Sequence, residues 1–418
     1  MRNIILSFLL TVSNLLGQAS STTGPDPKDP FSHYLTGKSP EIVKDLGVET
    51  RPDGIKIHRL VFLSRILKTP AGPDSSLVYV AIASPAGKGP HPAIVRLHGG
   101  GGIADIPAAA GSAKIGYVSL VLDIPGIAGK DKSPWNKGPW QKMGKITATP
   151  DVSNSSLFDA VLASVQSFYL LRAQPEVDPA KMGVAGASWG GYVSTMVACL
   201  LDKDLAASWS VFGSGSFMQG SYEMGNIGKL PQAEREEWIR YLDPGSRTQN
   251  ITKPFFIATA SNDRHWSWMA VQTTLSKMKG AVNQMYSPNT NHMIKCPGGS
   301  EMIPFFNQYL KGGAPMPKVT DIKTQRLSDG SIQVQFKVSN VADPVNPKVY
   351  FTSPALQPLW TERLWESVNA KGSAKGYEAV VPASKASGLT DLFAFITDHH
   401  PELGQDSTSV TSLILEVK

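Results

Sequence analysis

The sequence predicts an α/β domain, built on a mostly parallel β-sheet flanked by helices, followed by a small all-β sandwich domain. Three observations support this prediction. Apolar runs of strand length alternate with amphipathic helical stretches through residues 51–311, which is typical of a parallel sheet with helical crossovers. One strand runs through a glycine-bounded turn directly into a helix. From residue 318 onward, short strands separated by turn residues replace the helical periodicity, and this pattern indicates a sandwich.

The composition is that of a globular protein and excludes some functions. The chain has 418 residues, of which 41% are hydrophobic and 18% are charged, and this length favours about two domains. The formal net charge is +6, but the basic residues are scattered, so no nucleic acid partner is predicted. The two cysteines, Cys199 and Cys296, exclude a disulfide framework and leave a single bridge between them open.

The N-terminus is predicted to be a secretory signal peptide over residues 1–19. Arg2 precedes an apolar stretch at 4–16, and Gly17-Gln18-Ala19 supplies small residues for cleavage. The apolar stretch is too short to span a bilayer comfortably, so we expect no stable membrane insertion, with an N-terminal anchor helix as the alternative. The protein is therefore expected to be secreted or periplasmic. Residues 20–50, rich in Ser, Thr, Pro, Asp and Lys, are predicted to be an irregular lead-in.

The predicted α/β domain, residues 51–311, begins with two antiparallel strands at 55–66 and 77–84. Near-continuous apolar runs then predict buried parallel strands, and the apolar stripe of residues 156–172 predicts a crossover helix. The further predicted strands are at 93–97, 117–123, 182–185, 206–212, 254–260 and 283–287, and the further predicted helices are at 231–241, 271–278 and 300–310.

The turn at Gly186-Ala187-Ser188-Trp189-Gly190 is the first candidate catalytic element. A strand enters this G-x-S-x-G turn and a helix leaves it, so the serine is held in a strained conformation at the end of the strand. The positive end of the helix dipole and the N–H of Trp189 favour negative charge there, which the transition state of acyl transfer develops. Ser188 is therefore the predicted nucleophile.

Four glycines follow the strand at 93–97, in the loop His98-Gly99-Gly100-Gly101-Gly102. Glycines let backbone N–H groups approach a ligand closely, so Gly99, Gly100 and Gly101 are predicted to form one arm of an oxyanion hole. The N–H of Trp189 is predicted to form the other arm. His98 is expected to hold this loop by hydrogen bonds rather than to act as a base.

Asp263 and His292 each follow the end of a predicted strand, as Ser188 does. Because parallel strands present their carboxyl ends at one edge of a sheet, the three side chains are expected to converge. Ser188 is a weak nucleophile alone. His292 would take its proton and later give it to the leaving group, and Asp263 would fix the tautomer of the imidazole.

A metal centre is the alternative use of the same polar loops, with Asp123, Asp263, His265 and His292 as ligands. No HExxH or paired-cysteine spacing supports it, and neither a metal nor an organic cofactor is predicted. Asp123 is instead expected to tie down the loop that follows its strand. His265, two residues after Asp263, is expected to contact substrate at the rim of the site.

Several tryptophans lie in the loops around these candidates. Trp266 and Trp268 follow the predicted acid, and Trp135 and Trp140 lie in a loop beyond a strand end. Flat indole faces stack on sugar rings and aryl groups, so these four residues are predicted, with His265, to contact substrate. Packing in the core is the alternative for each tryptophan.

The C-terminal domain is predicted over residues 318–418, after a linker rich in Gly and Pro. It offers no nucleophile constellation, so packing is its expected role, with glycan binding or shaping of the cleft as the alternative. Its predicted strands are at 331–338, 348–351, 377–381, 392–397 and 412–417.

Four motifs together resemble the α/β-hydrolase superfamily: HGGGG at 98–102, PEVDPAKMGVAGASWGGY at 175–192, SNDRHW at 261–266 and NH at 291–292. Within that superfamily the chain is similar, over residues 75–311, to acetylxylan-esterase-like hydrolases and to prolyl-oligopeptidase-like hydrolases of the dipeptidyl aminopeptidase type. The resemblance implies the α/β-hydrolase fold and the nucleophile, acid, base and oxyanion donors already named.

The chain departs from the peptidases of this type in two respects. No β-propeller precedes the domain, and no pair of acidic residues stands out that could hold a peptide N-terminus. The expected function is therefore that of a secreted serine hydrolase that cleaves a carboxylic ester, on an acetylated glycan or a small molecule, through an acyl-enzyme on Ser188. A serine peptidase, or a catalytically dead glycan-binding or scaffold protein, is the alternative. Similar appended sandwiches occur in hydrolases related to PhoPQ-activated proteins, and the oligomeric state is left open.

Overall fold

The computed structural model describes residues 28–69, 72–354, 357, 359–386, 388–399, 401 and 407–418. The predicted signal peptide, residues 1–19, lies outside this set. Within the described part of the chain, no helix is both long enough and apolar enough to cross a membrane.

One large sheet organises the first part of the chain. Its strands, among the described residues, are β1 (Glu41–Thr50), β2 (Lys56–Thr69), β3 (Gly72–Ser84), β4 (His91–Leu97), β5 (Val118–Leu122), β6 (Val177–Ala187), β7 (Ala207–Val211), β8 (Phe255–Ala260) and β9 (Val282–Ser287). They lie in the order β1-β2-β3-β5-β4-β6-β7-β8-β9. The pairs from β1 to β5 are antiparallel, and the pairs from β5 to β9 are parallel.

Strand β1 corrects the prediction for the lead-in. Residues 41–50 were expected to be irregular, but they pair with β2 along the edge of the sheet. Nearly all side chains of β1 are exposed, so the strand lacks the apolar alternation by which a half-buried strand is recognised.

Helices cover both faces of this sheet. They are α1 (Ile106–Lys114), α2 (Ser156–Arg172), α3 (Trp189–Leu201), α4 (Met224–Gly228), α5 (Gln232–Leu242), α6 (Trp268–Ser276) and α7 (Met302–Lys311). Neighbouring residues of strand β4 pack on opposite faces of the sheet. Val95 packs in the apolar cluster that contains α2 and α3, whereas Ile94 packs in the cluster that contains α7. Successive side chains of a strand point to opposite faces, so the sheet is buried on both sides.

The C-terminal part is a sandwich of two antiparallel sheets. Its described strands are β10 (Lys318–Arg326), β11 (Ile332–Ser339), β12 (Asp343–Thr352), β13 (Glu366–Asn369), β14 (Lys371–Ser373), β15 (Gly376–Val381), β16 (Thr390–His399), β17 (Thr408–Thr411) and β18 (Leu415–Val417). One sheet has the order β10-β11-β15-β14 and the other β13-β12-β16-β17, with β18 also paired to β16. Phe336 of the first sheet and Phe351 and Ile396 of the second share one apolar core.

The sandwich packs against the edge of the large sheet at β9 and against α6. Gln284 of β9 donates its side-chain N–H to the carbonyl of Thr411 at 2.8 Å. Gln272 of α6 forms a reciprocal pair with the backbone of Ile414, at 2.9 Å from Nε2 to the carbonyl oxygen and 3.0 Å from the backbone nitrogen to Oε1. These contacts dock the sandwich beside the strands that carry two of the candidate site loops.

Candidate active site

Ser188 lies at the sharp turn between β6 and α3. Its backbone is in a sparsely populated region, with φ 55° and ψ −122°, which costs on the order of 1–3 kcal/mol for a residue other than glycine. Its N–H donates to the carbonyl of Val211 at 2.8 Å. A Cβ on Gly186 would collide with the carbonyl of Gly190, and a Cβ on Gly190 would collide with that of Leu97. Both flanking positions therefore require glycine.

His292 joins Ser188 to Asp263. Its Nε2 lies 3.0 Å from Ser188 Oγ, and its Nδ1 lies 2.9 Å from Asp263 Oδ2. A carboxylate only accepts hydrogen bonds, so Nδ1 carries the proton and Nε2 accepts from the serine hydroxyl. The structure thus brings the three predicted residues together in the order needed to activate a nucleophile.

Asp263 is buried, whereas His292 reaches the surface. The exposed fraction of the Asp263 side chain is 0%, and that of His292 is 25%. The second carboxylate oxygen, Oδ1, accepts the backbone N–H of His265 at 2.7 Å. The His292 ring lies 4.3 Å, between centroids, from the ring of Phe212. The acid is therefore held in a dry setting by two donors, while the base remains open to a substrate.

The predicted oxyanion loop lies beside the nucleophile. A Cβ on Gly99 would approach Ser188 Cβ to 3.3 Å, and a Cβ on Gly100 would approach the indole of Trp189 to 3.0 Å. Within the described residues, no hydrogen-bond partner is found for the N–H groups of Gly99, Gly100 and Trp189. Gly101 corrects the prediction, because its N–H donates to the carbonyl of Ile127 at 3.0 Å. It shapes the loop instead of offering a donor.

His98 fixes the oxyanion loop from behind. Its Nδ1 donates to the carbonyl of Gly99 at 2.7 Å, and its Nε2 accepts the N–H of Ile124 at 3.0 Å. Burial lowers the pKa of this imidazole, which keeps it neutral and able to make both bonds.

Asp123 holds two neighbouring loops. Its carboxylate accepts from the N–H of Ala104 at 2.8 Å and from the N–H of Ser133 at 2.7 Å. Both His98 and Asp123 therefore have the structural roles expected from the sequence.

A small cavity of about 100 Å³ adjoins Trp189, and its lining comprises Trp189, Phe217, Tyr222, Glu223, His265 and Trp266. The His265 ring lies 4.4 Å from the His292 ring between centroids. Burial and, secondly, the charge of protonated His292 lower the pKa of His265. Sequence reasoning missed Phe217, Tyr222 and Glu223, because they lie in the irregular segment between β7 and β8, where no periodic pattern marks them.

Three of the predicted substrate-contacting tryptophans are not brought to this cavity. Trp268 is buried in the core, with 8% exposure. Trp140 is buried beside Gly138, close to the backbone of Ser76 in β3. Trp135 lies against Lys44 of β1, whose ammonium is 3.9 Å from the ring centroid. Strand β1 is five positions from β6 in the sheet, so Trp135 is on the order of 20 Å from the nucleophile.

Metal-ligating and redox groups form no further cluster in the described chain. No group of three or more His, Cys, Asp or Glu side chains within the described ranges is placed to hold a metal ion. Cys199 and Cys296 are both free thiols, so the bridge left open by the sequence is not formed. Burial raises the pKa of Cys199 to about 12, which keeps this thiol protonated and unreactive.

The chain is similar to known proteins both in sequence and in structure. The model of the acetyl xylan esterase (AXE1) family matches residues 55–252, and that of the PhoPQ-activated pathogenicity-related proteins matches residues 195–354. The acetyl xylan esterase from Paenibacillus sp. R4 is 18% identical, with a TM-score of 0.52, over 66% of this chain and 92% of its own. Acetyl xylan esterase 1 from Thermoanaerobacterium sp. JW/SL YS485 is 18% identical, with a TM-score of 0.50, over 64% of this chain and 90% of its own. No curated protein matches the chain significantly.

The chain therefore has the α/β-hydrolase fold, and the fold class predicted from the sequence is confirmed. The predicted resemblance to acetylxylan-esterase-like hydrolases is confirmed over residues 55–252. The family match supports a serine hydrolase.

Proposed function

We propose that the protein hydrolyses a carboxylic ester, on an acetylated glycan or a small molecule, through an acyl-enzyme on Ser188. One observation carries the proposal: His292 Nε2 lies 3.0 Å from Ser188 Oγ while its Nδ1 is bonded to Asp263. A dead scaffold on this fold would have no need to keep a strained serine in contact with an oriented base.

The geometry supports the usual two-step acyl transfer. His292 takes the hydroxyl proton as Ser188 Oγ attacks the ester carbonyl, and the N–H groups of Gly99, Gly100 and Trp189 stabilise the oxyanion. His292 then protonates the leaving alcohol. Water, activated by the same imidazole, releases the acid and restores the serine. Each half-reaction returns the base to its starting protonation state.

The small cavity supports a short acyl group or a compact part of the alcohol. Its volume of about 100 Å³ is well below the about 300–1,000 Å³ that is typical of pockets for drug-sized ligands. Its walls are mostly aromatic, which suits a methyl group or one face of a sugar ring. The acetyl xylan esterases that the chain resembles make an acetyl ester the first substrate to test.

One observation favours the amide alternative. Glu223 places a carboxylate in the lining of the same cavity, where it could pair with the ammonium group of an aminoacyl substrate. It could equally accept hydrogen bonds from sugar hydroxyls. Glu223→Gln separates the two, because a neutral amide still bonds hydroxyls but no longer attracts an ammonium.

The test is a substrate panel run on the full chain: p-nitrophenyl acetate, acetylated xylan and aminoacyl amides. We expect the esters to be cleaved, with activity abolished in Ser188→Ala. Ser221→Ala is the matched control, because Ser221 is buried near the cavity and its hydroxyl has no hydrogen-bond partner in the described structure. Preferential cleavage of the amides would assign a peptidase. Absence of any Ser188-dependent cleavage would assign a non-catalytic protein.

We further propose that the chain is exported and that residues 1–19 are removed. Expression in the native host followed by N-terminal sequencing tests this, since a mature protein that retains Met1 would contradict it.

A further inference from the structure

A segment of the C-terminal sandwich reaches across to the candidate active site. We call it the clamp and define it as residues 357 and 359–365, which lie between β12 and β13. Trp360 of the clamp donates its indole N–H to the backbone carbonyl of Asp263 at 2.8 Å. The carbonyl of Arg363 accepts the side-chain N–H of Asn262 at 2.6 Å. Two bonds therefore hold the acid and the residue before it.

The clamp also holds the loop that carries the base. Asn289 and Trp365 form a reciprocal pair, with 2.8 Å from Asn289 Nδ2 to the carbonyl oxygen of Trp365 and 2.7 Å from the backbone nitrogen of Trp365 to Asn289 Oδ1. Asn289 precedes His292 by three residues and has φ 54°, so it lies in the turn that aims the imidazole. The acid and base loops thus share one support from a part of the chain that lies 76 to 101 positions later in the sequence.

The clamp is itself fixed to the body of the sandwich. Arg363 donates to Asp391 of β16 at 2.8 Å, and the exposed fractions of the two side chains are 7% and 3%. The guanidinium also donates, through Nε, to the carbonyl of Gln357 at 3.0 Å. Trp365 is buried against Phe393 of β16, with ring centroids 5.1 Å apart. A buried ion pair and an aromatic contact make the clamp a rigid support.

Other hydrogen bonds across the interface do not involve the clamp. Gln284 of β9 and Gln272 of α6 bond the backbone of Thr411 and Ile414 elsewhere on the sandwich. Gln284 lies on the strand that precedes the loop of His292, and Gln272 lies on the helix that follows the loop of Asp263. The clamp bonds, in contrast, go to residues within three positions of Asp263 and His292.

We propose that the clamp positions Asp263 and His292, which makes the C-terminal sandwich part of the catalytic unit and Trp360 a positioning residue. The proposal rests on the proposed function, since it assigns a role in the same reaction. The bonds from Asp263 to His292 and from His292 to Ser188 tolerate little movement, because a displacement of about 1 Å at a reacting group can cost about 100-fold in rate.

Trp360→Phe in the full-length protein tests the proposal, because phenylalanine keeps an aromatic ring and removes the N–H that binds Asp263. We expect kcat for p-nitrophenyl acetate to fall about 10-fold to 100-fold, with little change in KM. Asn289→Gly is the second variant, because glycine accepts the positive φ and removes the pair with Trp365. Gln272→Ala is the matched control: it removes the same kind of reciprocal amide pair at the same interface and should leave kcat near that of the unmodified protein.

A spectroscopic measurement separates this proposal from the proposed function. The proton on His292 Nδ1, bonded to Asp263, should give a downfield proton resonance in NMR spectra, and Ser188-dependent hydrolysis is not needed to observe it. We expect the resonance to weaken or disappear in Trp360→Phe and Asn289→Gly and to persist in Gln272→Ala. Persistence of both the resonance and kcat in the two clamp variants would overturn the proposal. An equal loss in Gln272→Ala would also overturn it, because docking alone would then explain the effect.

Discussion

Replacing Asp263 by asparagine should stop the reaction by placing a proton on the wrong nitrogen of His292. Both carboxylate oxygens are used: Oδ1 accepts the backbone N–H of His265 at 2.7 Å, and Oδ2 accepts from His292 Nδ1 at 2.9 Å. An amide has one oxygen. The backbone N–H of His265 can only donate, so the oxygen must face it and the amide nitrogen must face His292.

His292 Nδ1 then has to accept, which moves the ring proton to Nε2. That nitrogen faces Ser188 Oγ at 3.0 Å, and in this tautomer it can no longer take the serine proton. Where a triad aspartate has been replaced in this way in a serine protease, the rate fell about 10⁴-fold, equivalent to about 5 kcal/mol of barrier. We expect a loss of that order in kcat for Asp263→Asn, measured with p-nitrophenyl acetate at neutral pH.

Asp159→Asn is the control for a general effect of losing a buried carboxylate. Asp159, on α2, is buried and accepts from Arg65 and from the hydroxyl of Ser76, so its replacement should lower the melting temperature. Neither partner belongs to the site or to the cavity beside it, so kcat should stay within a few-fold of normal. If Asp263→Asn kept a tenth or more of the original kcat, the assignment of the acid would be refuted.

Two further predictions concern stability. Gly190→Ala should lower the free energy of unfolding by about 1–3 kcal/mol or more, because the added methyl meets the carbonyl of Leu97. The control is Gly111→Ala, in open space on α1, which should raise the free energy of unfolding by up to about 1 kcal/mol. Equal effects of the two substitutions in urea titrations would contradict the packing at the turn. Burial raises the pKa of Asp391 from 3.8 to about 6. Between pH 3.8 and about pH 6, the folded state therefore holds a proton that the unfolded chain has released. The contribution of this proton to the free energy of unfolding is lost as pH rises. Unfolding at pH 4 and pH 6 should show that component in the unmodified protein and not in Asp391→Asn; an identical pH dependence in both would exclude it.

Much of the fold and the centre of the site could be predicted because their signals are local. The strand, turn and helix around Ser188 follow one another in sequence, and the strand ends place Asp263 and His292 at the same edge of the sheet. Helix α1 was not predicted, because the small residues alanine and serine at its buried positions give almost no amphipathic contrast. Strand β1 was not predicted for a related reason, since an exposed edge strand buries too few side chains to require alternating apolar and polar residues.

The rest depended on contacts that no local pattern encodes. The N–H of Gly101 is taken by Ile127 only because two loops meet in space. From the sequence alone, Trp135 and Trp140 could line the cleft or pack beside other strands. The position of their loop along the sheet places them beside β1 and β3, away from the cleft. The clamp residue Trp360 and its partner Asp263 are 97 positions apart in sequence, so their hydrogen bond could not be anticipated from either segment alone.

The central claim is that Ser188 carries the acyl group, and chemical trapping tests it most directly. The protein is mixed with p-nitrophenyl acetate and quenched within the first turnover by acid, which unfolds the protein and stops deacylation. Peptide mapping by mass spectrometry then locates the acetyl group. We predict one acetyl group on Ser188, formed together with the first p-nitrophenolate released and absent in His292→Ala. Hydrolysis of the ester with no acetyl group on Ser188 at any quench time would contradict the account.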